Sequence, residues 1–276
     1  MSTQNSPYAT IEQSYGISED GNRRLARHRN IKSQETPEER TTMRIHSTIL
    51  LSALLLVSTS CTTSKRSEPV TSKPGINDAF LDPNLDVDKW VHRFEVESRE
   101  VFAARNEIVE NLHLAKGDVV ADIGTGTGLF VEPMSHAVGP DGWVYAQDIA
   151  PKFIQRIGQL SKLKGLGNVT PVLGGEDDVM LQRDSIDVAF ICDVYHHFEF
   201  PEKSLASLYA AVKPGGQLVV IDFERIPGKS REWVLNHVRA GKDAFRKEIE
   251  DAGFEFVEEA KIATFKENYF LRFKHP

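Results

Sequence analysis

The chain has 276 residues, of which 40% are hydrophobic and 26% are charged. This length and composition supply enough apolar side chains for one substantial buried core and an appended segment. The formal net charge of −7 at pH 7 argues against a nucleic-acid-binding surface, which needs an excess of lysine and arginine. We therefore expect no nucleic-acid partner.

The N-terminal part of the chain differs in composition from the rest. Residues 1–42 are polar and contain few large apolar side chains, which predicts a disordered extension or a mis-annotated start. Residues 43–61 contain a basic residue, an apolar run and small residues before Cys61, a pattern typical of a secretory signal peptide. A single apolar anchor segment is the alternative interpretation.

The end of residues 43–61 resembles the lipobox of bacterial lipoproteins, in which the cysteine is lipidated after cleavage. The three small residues before Cys61 lack the leucine that is usual three positions upstream. The resemblance implies a lipid anchor at Cys61 and an exported, membrane-associated protein, or a cytoplasmic one if the leader is not used. Cys192, the only other cysteine, would then be unpaired, which rules out a disulfide framework.

The body of the chain follows a linker. Residues 62–85 are rich in small and polar residues and are assigned to that linker, and residues 86–276 are assigned to the folded domain. The first predicted element is a helix from about Asp86 to Leu112, in which apolar residues recur at spacings of four and seven. The charged residues between them are interpreted most simply as a face exposed to solvent.

The most informative stretch is residues 118–128, Asp-Val-Val-Ala-Asp-Ile-Gly-Thr-Gly-Thr-Gly. An apolar run typical of a strand buried on both faces is followed by three alternate glycines and an amphipathic helix. Such a strand, turn and helix N-terminus form a cradle of nucleotide size. A dinucleotide fingerprint needs a third glycine where Leu129 stands, which disfavours an NAD(P)-dependent oxidoreductase. Asp122 would repel a pyrophosphate but suits a ligand with a cationic amino acid group.

This turn, preceded by Asp122, resembles motif I of the class I S-adenosylmethionine (SAM)-dependent methyltransferases. The resemblance implies SAM as the cofactor, with the motif carboxylate near its methionine moiety. The cofactor-binding residues that it predicts in this motif are Asp122, Gly124, Thr125, Gly126 and Gly128. It also offers a second interpretation of the preceding helix, as a cover over the cofactor with Arg99, Phe102 and Arg105 facing the site. A structural strand–helix turn without a ligand is the alternative.

Two further strands supply the next candidate residues. Residues 143–148 are predicted to form a strand that ends in Asp148, and the resemblance implies that Asp148 accepts hydrogen bonds from both ribose hydroxyls while Ile149 packs against adenine. A helix from 151 to 164 and a strand from 169 to 173 follow. Where relatives place an aspartate against the adenine amino group this chain has glycine, so Glu176 or Asp177 is expected to take over that contact.

The fourth strand, residues 186–193, leads into Asp193-Val-Tyr-His-His-Phe198. Ligands of open α/β sheets bind beyond the carboxyl ends of the strands, so Asp193 is a further cofactor-binding candidate. The run resembles the post-strand motif of small-molecule methyltransferases, including those of quinone and sterol type. Candidates for a catalytic base or a hydrogen-bonding group are Tyr195, His196, His197 and, from a later segment beside Arg239, His237. Two adjacent histidines without a third ligand nearby are poor evidence for a metal, so no metal site is predicted.

A helix from 201 to 212, a Lys-Pro-Gly-Gly turn that recurs in the family, a fifth strand and a closing antiparallel pair complete the chain. The predicted fold is α/β and Rossmann-like, with a seven-stranded, mostly parallel sheet, an antiparallel last strand and helices on both faces. The predicted function is SAM-dependent methyl transfer to an unidentified small molecule. A membrane-tethered, non-catalytic SAM- or nucleoside-binding module is the alternative.

Overall fold

The computed structural model of the protein describes residues 73–276. Within this part of the chain, seven strands form one sheet in the order β3-β2-β1-β4-β5-β7-β6. The strands are β1 Val119–Ile123, β2 Trp143–Asp148, β3 Val169–Leu173, β4 Ile186–Cys192, β5 Val212–Phe223, β6 Glu255–Ala260 and β7 Asn268–Lys274. β7 pairs antiparallel with both of its neighbours, β5 and β6, and all the other strand pairs are parallel. The predicted seven-stranded, mostly parallel sheet with an antiparallel last strand is confirmed.

Nine helices accompany the sheet in the same described range. They are α1 Asp78–Leu81, α2 Val87–Phe94, α3 Glu100–Ala103, α4 Arg105–Asn111, α5 Val131–Val138, α6 Pro151–Lys164, α7 Pro201–Ala211, α8 Glu232–His237 and α9 Lys242–Asp251. A short 3₁₀ turn, Tyr195–His197, follows β4. None of the helices in residues 73–276 has the length and apolarity that a membrane span requires.

Each face of the sheet buries its own core, because successive residues of a strand point to opposite sides. In β4, Ala189 and Ile191 belong to one apolar cluster, together with side chains of α7, α8 and α9. Val188 and Phe190 belong to the other cluster, together with side chains of α3, α4 and α5. Helices therefore cover both faces, as the near-continuous apolar strands predict.

The predicted single helix from Asp86 to Leu112 is wrong, since this stretch forms three short helices. Its apolar stripe serves two different partners: Trp90 and Phe94 pack around Ala150 and Phe153. The C-terminal part of the stripe instead joins the core under the sheet, through Val101, Ile108 and Leu112. One straight helix cannot reach both clusters, so the chain changes direction between α2 and α3.

The predicted linker is too long at its C-terminal end. Residues 73–85 include α1 and are tied to the domain, since the Asn77 amide donates to the carbonyl oxygen of His197 over 3.1 Å and Leu85 is buried. The predicted extension of residues 1–42, the signal peptide of residues 43–61, the lipidation site Cys61 and the first part of the linker lie outside the described residues.

The turn after β1 explains the spacing of its glycines. Gly124 has φ of +71°, and a Cβ placed on it would lie 2.4 Å from Cγ1 of Val194, which follows β4. Any side chain there would force the two neighbouring strand ends apart. Gly117, with φ of +91° and no atom within 4 Å of its would-be Cβ, needs only the conformational freedom of glycine.

These two glycines allow a matched test of packing against backbone strain. Both Gly124→Ala and Gly117→Ala place alanine in a left-handed conformation, at roughly 1–3 kcal/mol each. Gly124→Ala is expected to lose about 1–3 kcal/mol more, because its methyl group overlaps Val194. Chemical denaturation of the two variants and the wild type measures the difference, and equal losses would contradict the close approach.

Candidate functional site

The main cavity of the described domain lies at the carboxyl ends of β1, β2 and β4 and has a volume of about 1000 Å³. Residues that follow these three strands form its floor, and residues of α1, α2 and the segment leading into α3 form its opposite wall. This is the edge at which open α/β sheets bind ligands. The volume stands at the upper end of the range for ligand sites, enough for two ligands side by side.

The glycine turn is held by the neighbouring strand. The backbone N–H groups of Gly124 and Thr125 both donate to the carbonyl oxygen of Gln147, over 2.8 and 2.9 Å. The N–H of Gly126 donates to Oδ2 of Asp148 over 2.8 Å, and that of Gly128 donates back to Thr125. Four of the five amides of the turn are therefore already hydrogen-bonded within the protein.

Asp122 lies in the pocket floor at the end of β1, and its side chain is 2% exposed. Burial raises its pKa from 3.8 to about 7, the hydroxyl of Thr125 lowers it by donating a hydrogen bond over 2.7 Å, and the charge of Asp148 raises it further. A cationic ligand would stabilise the ionised form of this buried carboxyl group, because the opposite charge would offset the cost of its desolvation.

Asp148 ends β2 and also lines the pocket. Its Oδ2 accepts from Gly126, and its Oδ1 accepts from the N–H of Ala150 over 2.8 Å, at the start of α6. Burial raises its pKa to about 6, against the effect of these backbone donors. A carboxylate offers about four acceptor positions, so Asp148 can still accept from a ligand. Ile149 lies beside it in the pocket wall.

At the exit of β3 the structure separates the two predicted alternatives. Glu176 lines the pocket, and so does Asp178, which the sequence did not single out. Asp177 does not line it, because its carboxylate pairs with Lys203 over 2.9 Å at the surface. The structure therefore gives no support to the predicted contact of Asp177 with the cofactor, and Glu176 is the alternative that lines the cavity.

Asp193, after β4, lies in the pocket with two side-chain partners. Its Oδ2 accepts from Nη2 of Arg99 over 2.5 Å, and its Oδ1 accepts from the amide of Asn268 over 2.7 Å. Burial raises its pKa, while the charge of Arg99 opposes the rise. Its φ of +54° turns the chain sharply away from the strand. The role of Asn268 was missed, because nothing in the local pattern of β7 points to the site.

The wall facing the strand ends is aromatic and was also missed. Phe80 packs against Trp90 at 4.7 Å between ring centroids, Trp90 against Phe94 at 5.0 Å, and Phe80 against Phe153 at 6.2 Å. All four rings line the pocket. Of the three residues expected to cover the site from the preceding helix, only Arg99 faces it. Arg105 instead lies over the ring of Phe102, at 4.4 Å, outside the pocket.

Three histidines converge at the end of the cavity formed by Phe80, Phe223 and Trp233. His196 is 1% exposed, its Nδ1 lies 2.8 Å from Oδ1 of the fully buried Asp222, and its Nε2 has no hydrogen-bond partner. His197 has its Nδ1 3.2 Å from Oδ1 of Asn77. His237 places Nε2 3.3 Å from Nε2 of His197.

The electrostatics of this cluster keep two of its members neutral at pH 7. Burial lowers the pKa of His197 from 6.5 to about 2, with further lowering by His196, His237 and Lys73. Burial also lowers the pKa of His237, to about 4, and His196, Lys73 and Arg93 add to the effect while Asp222 opposes it.

Two other predicted site residues do not line the cavity. Tyr195 is buried in the core, where its hydroxyl donates to Oε2 of Glu248 over 2.9 Å, so its position does not support the predicted catalytic role. Gly128 is also absent from the lining. A Cβ on it would lie 2.6 Å from Cδ1 of Ile157, so it permits α6 to pack against the turn. Arg239, which was expected with His237 to reach the substrate side, pairs with Glu248 instead.

A doubly wound sheet with a ligand-sized cavity at its carboxyl edge is a Rossmann-like α/β fold, in which ligands bind at this edge. Residues 114–269 match the model of the methyltransferase domain family, more than half of the chain. The chain therefore belongs to the methyltransferase domain family, and S-adenosylmethionine is the cofactor that this membership implies.

Individual relatives agree with the family. A ubiquinone/menaquinone biosynthesis C-methyltransferase of Pasteurella multocida is 32% identical over 112 residues, 40% of this chain and 41% of that protein. The chain thus spans about two fifths of that curated relative. A protein-L-isoaspartate O-methyltransferase of Fervidobacterium nodosum is 30% identical over 141 residues, 47% of this chain and 67% of that protein. The structure of a SAM-dependent methyltransferase from Aquifex aeolicus has the same fold, with a TM-score of 0.61 and 24% identity over 69% of this chain and 99% of that one.

The raised pKa of Asp122 makes the stability of the ligand-free protein depend on pH. The folded state keeps this proton up to about pH 7, whereas an unfolded aspartic acid loses it near pH 4, so the free energy of unfolding falls as pH rises between these values. Between pH 5 and 8, Asp122 is expected to contribute a loss on the order of 2 kcal/mol. Asp122→Asn should remove that loss in denaturant titrations at the two pH values.

The matched control is Asp141→Asn, on the exposed turn before β2. It is expected to keep the pH dependence of the wild type. If Asp122→Asn also kept the pH dependence of the wild type, the carboxyl group of Asp122 would not be the titrating group.

Proposed function

We propose that the protein transfers the methyl group of S-adenosylmethionine to a small-molecule acceptor bound in the same cavity. The observation that carries this proposal is the state of the glycine turn. Its backbone N–H groups already donate hydrogen bonds to Gln147, Asp148 and Thr125. Two buried carboxyl groups, Asp122 and Asp148, lie beside it. A pyrophosphate needs free amides and positive charge, whereas an adenosyl sulfonium with an ammonium group needs acceptors.

The chemistry of the two carboxyl groups suits the two halves of that cofactor. Asp122 would neutralise the ammonium group of the methionine moiety, which would offset the cost of its burial. Asp148 would accept the two ribose hydroxyls with the acceptor positions that Gly126 and Ala150 leave open. Ile149, Glu176 and Asp178 would then border the adenine. Asp193, paired with Arg99 and Asn268, would lie at the methionine end.

The acceptor would occupy the end of the cavity that the histidines and rings enclose. Phe80, Phe223 and Trp233 surround this end, and such rings favour a flat, largely apolar molecule. Methyl transfer needs little acid–base machinery, because the sulfonium methyl is already activated and the protein has to align the acceptor and exclude water. One relative is a C-methyltransferase of ubiquinone and menaquinone biosynthesis, which supports a small-molecule acceptor by analogy.

We also propose that the domain is carried to a membrane by the leader of residues 43–61 and anchored through Cys61. The support is the order of the basic residue, apolar run and small residues before the cysteine. Mass spectrometry of the native N-terminus tests it: an acylated Cys61 is expected, and a peptide from residues 10–30 in the mature protein would overturn it.

The cofactor assignment is tested by titration calorimetry of SAM against the wild type and Asp148→Asn. The variant is expected to bind about 5- to 150-fold more weakly, or about 1–3 kcal/mol, because a ribose hydroxyl then faces an amide that cannot accept as a carboxylate does. Asp177→Asn, on the surface pair with Lys203, is the matched control and should bind as the wild type does.

NADH, titrated into the same wild-type sample, should give no binding signal. Binding of NADH in preference to SAM, or equal SAM affinity in both variants, would refute the assignment. A screen of metabolite extracts with SAM labelled on its methyl group then identifies the acceptor, and a chain that binds SAM but labels nothing would support the non-catalytic alternative.

A further inference from the structure

We propose that His196, His197 and His237 bind one divalent metal ion of the zinc class at the acceptor end of the cavity. The sequence placed His196 and His197 side by side and His237 in a separate segment, and the fold brings this third histidine to the pair from α8. In the described part of the chain, this is the one group of at least three potential ligands that comes together.

The spacing of the ring nitrogens fits a metal centre. One ligand nitrogen from each residue lies within 4.8 Å of the others, and Nε2 of His197 lies 3.3 Å from Nε2 of His237. Two nitrogens bound to a tetrahedral zinc ion at about 2.0–2.1 Å are about 3.3–3.4 Å apart. The pair therefore already has the spacing of two ligands, and the ligand nitrogen of His196 lies within 4.8 Å of both.

Hydrogen bonds on the far side of two rings fix which nitrogen points inward. The carboxylate of Asp222 accepts from Nδ1 of His196, so the buried Nε2 carries the lone pair and has no protein partner. The side-chain oxygen of Asn77 accepts from Nδ1 of His197, so its Nε2 can also act as a ligand. Such outer partners, above all a carboxylate behind a histidine, are typical of zinc-binding histidines.

The surroundings otherwise have mixed charge. Asp222 is fully buried and favours a cation, whereas Lys73 donates from Nζ to the carbonyl oxygen of His237 over 2.6 Å, and Arg93 also acts on that histidine. Neutral imidazoles are the form that a metal binds. Phe80 and Trp233 pack against the two rings and restrict their orientation.

Three protein ligands leave a fourth position that faces the cavity, as in catalytic zinc sites. This step rests on the proposed methyl transfer: an acceptor thiol or acidic hydroxyl would bind there and release its proton to solvent, because the dipositive ion lowers its pKa. The bound anion would attack the sulfonium methyl carbon. The carbon–sulfur bond breaks, its electron pair stays on sulfur, and S-adenosylhomocysteine and the methylated acceptor leave.

Metal binding is tested on the full chain after removal of metals with a chelator. Cobalt(II) is the probe, because its visible absorption reports both stoichiometry and coordination, and zinc(II) should displace it. The wild type is expected to bind one cobalt ion with a four-coordinate spectrum, and a small thiol should add a thiolate-to-cobalt charge-transfer band. Asp222→Asn should weaken binding about 10- to 100-fold.

His237→Ala removes a ligand from a partly exposed position and is expected to weaken cobalt binding more than Asp222→Asn does. His136→Ala, at an exposed position in α5, is the matched control and should bind as the wild type does. Thermal unfolding of each variant confirms that it is folded.

Failure to bind cobalt or zinc stoichiometrically, or equal affinity in His237→Ala and His136→Ala, would overturn the proposal. SAM titrations on the same metal-free samples keep the two proposals separate. Binding of SAM without metal would refute only the metal site. Binding of metal without SAM would refute only the proposed methyl transfer.

Discussion

The site depends on one carboxylate that joins three pieces of backbone. Asp148 ends β2 and holds both the N–H of Gly126, in the turn after β1, and that of Ala150, at the start of α6. The same turn is held a second time through the carbonyl oxygen of Gln147, which precedes Asp148 in the strand. Because these bonds link adjacent parallel strands at their ends, the floor of the cavity is set by the sheet and not by a free loop.

This arrangement leaves several acidic groups in a place where water cannot solvate them. Asp122 and Asp148 lie at the carboxyl ends of β1 and β2, Asp193 follows β4, and burial raises the pKa of each. Such a concentration of carboxyl groups costs stability in the free protein. A ligand with positive charge and hydroxyl donors would offset that cost on binding, which is why the sign of the charge, more than the glycine spacing, separates a sulfonium cofactor from a dinucleotide.

The sheet and the cofactor end could be predicted from sequence because both are local. The strand from Val119 to Ile123 and the helix from Pro151 to Lys164 are marked by apolar periodicity and a proline start, and they match the structure. The segment from Asp86 to Leu112 was predicted wrongly, since periodicity shows that side chains are buried but not against which partner. Glu176 and Asp177 could not be told apart for a related reason, because the sequence does not show that Asp177 pairs with Lys203 at the surface.

The three histidines were predicted as separate candidates, but their convergence could not be predicted, because this end of the cavity is assembled from distant parts of the chain. His196 and His197 follow β4, where the turn is fixed to β5 by the hydrogen bond from His196 to Asp222. Asn77 and His237 reach them from 120 and 40 residues away along the chain. The fixed half belongs to the sheet, whereas the other half comes from α8 and the segment around α1, outside the sheet. Differences in these outer segments can therefore change the acceptor without disturbing the residues at the strand ends that form the floor of the cavity. For the same reason, a family match centred on the sheet identifies the chemistry and leaves the acceptor open.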